Sequence, residues 1–198
     1  MGWIQNANIS ADGSLVTKKG EFAAWEVTNA GAIDITAGSI LHTNNVTNSG
    51  TIHVAGGLTS DNLDNRGGAI ETEADSVSNI GNIATDTSSS ITNAGTIVIG
   101  VLKDGKLQGS VSSTGADSVL VVDADMQFEG TLNNEGTASY KDVTIELGSW
   151  ENSGYEQGGD LTVADGAEHT NTGTSIWNNA TINGSMTNSG GGDKGGFK

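Results

Sequence analysis

The stretch Val27-Thr28-Asn29-Ala30-Gly31-Ala32-Ile33 returns as Val46-Thr47-Asn48-Ser49-Gly50-Thr51-Ile52. It returns again as Ile91-Thr92-Asn93-Ala94-Gly95-Thr96-Ile97. Each copy places an apolar and a polar residue before an Asn-x-Gly tripeptide, then resumes alternation after the glycine. Alternation with period two is the signature of a half-buried strand, and Asn and Gly are the residues that turn a chain sharply. One copy therefore reads as strand, corner, strand.

Along the chain Asn-x-Gly recurs at Asn29, Asn48, Asn65, Asn79, Asn93, Asn134, Asn152, Asn171 and Asn188, with spacings of 19, 17, 14, 14, 41, 18, 19 and 17 residues. Ser113-Thr114-Gly115 divides the long interval into 20 and 21, and Ala11-Asp12-Gly13 extends the series backwards by 18. The eleven anchors span 177 residues, a mean period near 17.7. The residue two before each anchor is apolar in ten cases of eleven, the exception being His169, and the residue one before is polar in all eleven. Random matches in a glycine-rich chain would not keep both neighbours in phase. Self-similarity at this period points to a solenoid. The expected fold is all-β: a single-stranded parallel β-helix solenoid of about eleven rungs over residues 1–190. A Gly-rich tail or linker follows at 191–198.

Stacked rungs would bring each anchor Asn above the last at the ~4.8 Å strand spacing, where amides donate and accept along a ladder. The nine Asn residues are the expected structural ladder, with Ser113 as a weak link and Ala11 as its end. The anchor glycines are expected to supply positive φ. Two features are irregular. The repeats starting at Asn65 and Asn79 hold only 14 residues, short for a rung. The second position after the glycine is Leu15, Ile33, Ile52, Ala69, Ile83 and Ile97 early on, but Asp117, Ala138, Glu156 and Ser175 later. Residues 17–24, with Lys18 and Lys19, read as an insertion loop.

Composition agrees. The 198 residues include 30 Gly, no Pro and no Cys, with 5% aromatics. That suits a thin core of small and β-branched side chains, and a backbone in which nearly every N–H is paired. The net charge of −16 would repel the phosphates of nucleic acids and of anionic membrane surfaces. No apolar run reaches the ~20 residues of a membrane span. Met1-Gly2-Trp3-Ile4-Gln5 lacks the basic and apolar regions of a signal peptide, and the chain reads as a fragment of a longer protein.

Chemistry is sparse. No P-loop, dinucleotide fingerprint or Gly-x-Ser-x-Gly elbow is present. The histidines at 42, 53 and 169 lack metal-site spacing, and structural roles are expected for them. Acidic residues group at Asp61 and Asp64, at Asp123 and Asp125, and at Asp142 and Glu146. Asp123 and Asp125 would share a strand face as a weak Ca²⁺ candidate or a glycosidase-like pair, against a simple solvated acidic face. Trp150, Trp177 and Tyr155 are candidates for stacking on a sugar, or else core. No other cofactor is expected, and no catalytic residue is assigned.

The repeats at Asn29, Asn48, Asn93, Asn134 and Asn171 resemble the degenerate repeats of bacterial autotransporter passenger domains and of filamentous-haemagglutinin-like adhesins. The likeness covers nearly the whole chain. It implies a right-handed coil, export, and display on the bacterial cell surface. The expected function is a non-enzymatic, surface-exposed stalk or adhesion module. Its partners would be a surface glycan or protein, or like copies of itself. A carbohydrate-active β-helix is the first alternative, and an ice- or surface-binding solenoid the second.

Overall fold

The computed structural model describes residues 2–190; the tail expected at 191–198 lies outside them. Twenty strands form one parallel sheet wound into a solenoid. The odd-numbered strands are β1 (Gly2–Ile9), β3 (Gly20–Asn29), β5 (Ser39–Asn48), β7 (Gly57–Asp64), β9 (Val77–Ala84), β11 (Thr96–Leu102), β13 (Val119–Val122), β15 (Thr137–Tyr140), β17 (Tyr155–Val163) and β19 (Thr174–Ile182). The even-numbered strands are β2 (Ser14–Thr17), β4 (Ala32–Ile35), β6 (Thr51–Val54), β8 (Ala69–Thr72), β10 (Ser90–Asn93), β12 (Lys106–Ser113), β14 (Met126–Asn134), β16 (Val143–Asn152), β18 (Ala167–Asn171) and β20 (Ser185–Asn188). Each strand pairs with the one two places on, so two strands make a coil and twenty make ten coils. At the usual strand spacing the stack is about 43 Å long.

The long strands bend, and the bends give each coil three sides. In β5 the burial alternation slips at Asn44-Asn45, where two successive residues turn outward. In β3 the same slip falls at Trp25-Glu26, and the pairing of these two strands skips Trp25 and Asn44. The first side holds residues 20–24 and their stacked equivalents, the second holds 26–29, and the third is the short strand β4. From β12 to β16 the bend lies on the other flank, at the column Gly109, Gly130 and Gly148, which joins the second side to the third.

The core is a set of inward columns. The third side carries Leu15, Ile33, Ile52, Ile70, Ile91, Val111, Leu132, Trp150, His169 and Met186, one from every coil. The first side carries Phe22, Leu41, Leu58, Ser78, Ile97, Leu120, Ala138, Glu156 and Ser175. These columns explain the late irregularity after the glycines. The anchors at Asn29 and Asn48 lead into the third side, at the aliphatic Ile33 and Ile52. Later anchors lead into the first, where it ends in Ala138, Glu156 and Ser175.

The 14-residue repeats are not short rungs. Asn79 is an exposed outward residue in mid-strand, stacked between Thr59 and Val98. The true interval is the 28 residues from Asn65 to Asn93, one full coil plus one further strand. The Asn-x-Gly corner thus moves from the junction of the second and third sides to that of the third and first. Removing Asn79 reduces the expected eleven rungs to ten.

Two smaller expectations are also revised. Residues 17–24 hold the end of β2, a corner at Lys18-Lys19 and the first half of β3. Ile9, not Ala11, stacks on Asn29.

Candidate functional site

The Asn ladder occupies two corners of the coil and is hydrogen-bonded in three runs. Asn29 Nδ2 donates to Asn48 Oδ1 at 2.8 Å, and Asn48 Nδ2 to Asn65 Oδ1 at 2.6 Å. After the corner shift, Thr72 Oγ1 donates to Asn93 Oδ1 at 2.7 Å, and Asn93 Nδ2 to Ser113 Oγ at 3.3 Å. Asn134, Asn152, Asn171 and Asn188 complete the run with bonds of 2.7, 2.7 and 2.9 Å. The second amide proton of Asn29, Asn48, Asn134 and Asn152 reaches the carbonyl of Thr51, Ala69, Tyr155 and Thr174. Each side chain thus ties its own corner to the next coil. Ser113 is too short to continue the series: its hydroxyl pairs with Ser118 at 2.9 Å, and Asn134 Oδ1 is left buried without a partner.

The anchor glycines serve mainly another purpose than expected. Gly67 and Gly115, in the wider corners, do take positive φ of 76° and 84°. Gly31, Gly50, Gly154 and Gly173 do not. A Cβ on Gly154 would sit 2.1 Å from Gly136 O, and one on Gly50 2.1 Å from Gly31 O. In the tight corners glycine is required because stacked backbones touch there.

A buried polar cluster in the last coils is the chain's most distinctive chemical feature. Glu156 from the first side and His169 from the third meet across the core, both with fully buried side chains, at Oε1–Nε2 2.8 Å. Ser175 Oγ donates to the same oxygen at 2.7 Å, and Trp150 Nε1 to Oε2 at 2.9 Å. Trp177 Nε1 donates to Ser175 Oγ at 2.8 Å. Aromatic rings enclose the group. Trp150 packs edge-on against Phe128 at 5.5 Å and Tyr140 at 5.0 Å, while Tyr140 stacks on Trp177 at 6.2 Å. Gly158 makes room, since a Cβ there would lie 2.2 Å from the Trp177 ring. A carboxylate with three donors is a satisfied buried group. His169 Nδ1 and Tyr140 Oη are buried without partners.

Burial, with the Glu156 carboxylate next, holds the Tyr140 phenol well above its usual range. A raised folded pKa means stability that is full below the unfolded tyrosine value near 10 and declines above it. Because the Tyr140 hydroxyl bonds to nothing, Tyr140→Phe should be neutral or stabilising by about 1 kcal/mol at neutral pH. It should also lessen the alkaline loss in urea midpoints measured between pH 8 and 11. A clear loss of stability at pH 7 would refute this.

The other candidate residues are dispersed. Asp123 and Asp125 lie in the corner between β13 and β14, not on one strand face. Asp123 pairs with Lys141 at 3.0 Å, and Asp125 lines a shallow depression with Asp104 and Asp142. Among the described residues no group of three or more His, Asp or Glu converges to hold a metal. His53 sits outward between Asp34 (3.7 Å) and Glu73 (3.1 Å). Asp64 is held below the usual carboxylate range chiefly by its hydrogen bond from Arg66, and Glu129 by that from Lys106. Both pairs lie at the surface with their cations about half exposed, so they add little stability.

Of the three aromatic residues considered for sugar stacking, Trp150 and Trp177 are core, and Tyr155 bonds Gln157 at 2.9 Å. The exposed indoles are Trp3 and Trp25, 66% and 53% accessible. They border a groove with Ala23, His42, Asn44, Thr59 and Asp61. No helix among the described residues is long and apolar enough to cross a membrane. No protein-family model, curated protein or solved structure matches the chain.

Proposed function

We propose that the chain is a non-enzymatic display module, a stalk or adhesion segment of an autotransporter-like passenger exposed on a bacterial surface. It meets a surface glycan, a protein or like neighbours through its outward columns. The observation that carries this reading is the division of its tryptophans. Trp150 and Trp177 lock the interior, whereas Trp3 and Trp25 stand in solvent on the flank of a stiff rod. Exposed large aromatics rimmed by polar groups are typical of recognition surfaces. The resemblance of the repeats supports the surface location, and the absence of Cys agrees with export as an unfolded chain.

The test is adsorption of the purified chain to bacterial and host cells, and to protein- and polysaccharide-coated beads, with soluble products assayed in parallel. Saturable adsorption without product release is expected. Sustained turnover of any of these polymers, or no adsorption to any of them, would overturn the reading.

A further inference from the structure

We infer that the groove between Trp3 and Asp61 is a binding site for a neutral or amino-sugar polysaccharide, aligned with the solenoid axis; this rests on the adhesion reading and gives it a ligand class. The groove is built from two outward columns on neighbouring flanks. One column is Trp3, Ala23, His42 and Thr59, in register over four successive coils. The other is the bend of the same coils, with Trp25, Asn44 and Asp61. Ala23 is the small floor between Trp3 and His42. The two indoles lie at the N-terminal end, and hydrogen-bonding side chains continue for two coils beyond.

Three properties select the ligand. First, a pyranose has an apolar C–H face and a rim of hydroxyls, which suits an exposed aromatic platform beside polar groups. Second, the polar groups are available. Among the described residues the side chains of His42, Asn44, Thr59 and Asp61 make no hydrogen bond or ion pair within the chain. Outward groups nearby are engaged: His53 with Asp34 and Glu73, Asn62 with Asn45. Third, charge discriminates. Asp61 lines the groove and the chain carries −16, so uronate or sulfated polymers are repelled, while neutral and amino sugars are not. Successive coils place an outward side chain every ~4.8 Å, so an extended polymer lying along the axis would meet the indoles first and the polar side chains of the next two coils after them.

The test compares the parent chain with Trp3→Ala, Trp25→Ala, the double variant and Trp25→Phe. Adsorption to insoluble chitin, cellulose and pectate is measured, together with tryptophan fluorescence during titration with N-acetylchitohexaose. Both indoles are exposed, so all four variants should melt like the parent, which confirms that they fold. Binding to chitin or cellulose is expected, with about tenfold weakening on loss of one indole and a milder effect for Trp25→Phe. Pectate should bind least. If the parent adsorbs but the double variant adsorbs equally, the groove is not the site and the adhesion reading stands on another face. If the parent ignores chitin and cellulose yet binds cells or protein-coated beads, the saccharide inference alone falls. Preference for pectate would overturn the charge argument and the inference with it.

Discussion

Glu156→Ala is expected to lower stability by about 3–5 kcal/mol, through the penalty for leaving buried polar groups without their partner. Its carboxylate accepts from His169, Trp150 and Ser175, and Ser175 in turn accepts from Trp177. No solvent reaches the pair to replace the lost acceptor. The cost belongs to a broken network rather than to lost volume alone, and a double variant separates the two. Glu156→Leu together with His169→Leu removes both polar partners and should recover part of the loss, leaving the Trp150 and Ser175 donors as the residual penalty. Urea titrations followed by tryptophan fluorescence provide the measurement, because Trp150 and Trp177 report on these coils directly. A Glu156→Ala loss below about 1 kcal/mol would show that water or another acceptor replaces the carboxylate.

Gly154→Ala should cost about 3 kcal/mol or more, at the upper end for overpacking, because the added carbon meets backbone rather than a movable side chain. The nearest atom is Gly136 O at 2.1 Å, with Glu135 C at 2.5 Å. Relief requires two coils to separate at a corner where Asn134 Nδ2 bridges them, donating to Asn152 Oδ1 and Tyr155 O. Gly38 is the control. It takes φ 76° with nothing within 4 Å of a built Cβ. Gly38→Asn should therefore cost only about 1 kcal/mol, as Asn tolerates the left-handed region. Thermal melts of the two variants should differ clearly. Similar melting points would mean that the corners are looser than their stacking implies.

The contrast between these glycines shows what a sequence of this kind makes legible. The period, the parallel stacking and the inward direction of the anchor Asn side chains followed from spacing and alternation, because both are local patterns. The reason for glycine at each corner did not. Close approach between coils and a left-handed φ leave the same letter in the sequence, and at Gly130 and Gly148 both hold at once.

Asn79 shows a second limit. It matches the motif and has an apolar residue two positions before it, yet it faces solvent. The sign was arithmetic: 14 and 14 sum to 28, one coil plus one strand. The buried pair shows a third. Glu156 and His169 each stood out as a polar residue in an apolar column. Joining them required knowing that those two columns face each other across the core. Trp3 and Trp25 belong to no repeat column that the motif defines, so periodicity gave no reason to single them out.

The Asn ladder changes corners between Asn65 and Asn93 and passes Asn79 by. The most direct test measures the unfolding free energies of Asn79→Ala and Asn93→Ala by urea titration under one set of conditions. Asn93 is fully buried and bonded to Thr72, Ser113 and Val119, so its replacement should cost about 2–3 kcal/mol. Asn79 is exposed, and its replacement should fall within about 0.5 kcal/mol of the parent. Comparable losses at both positions would place Asn79 in the ladder, restore an eleven-rung register, and contradict the ten-coil architecture.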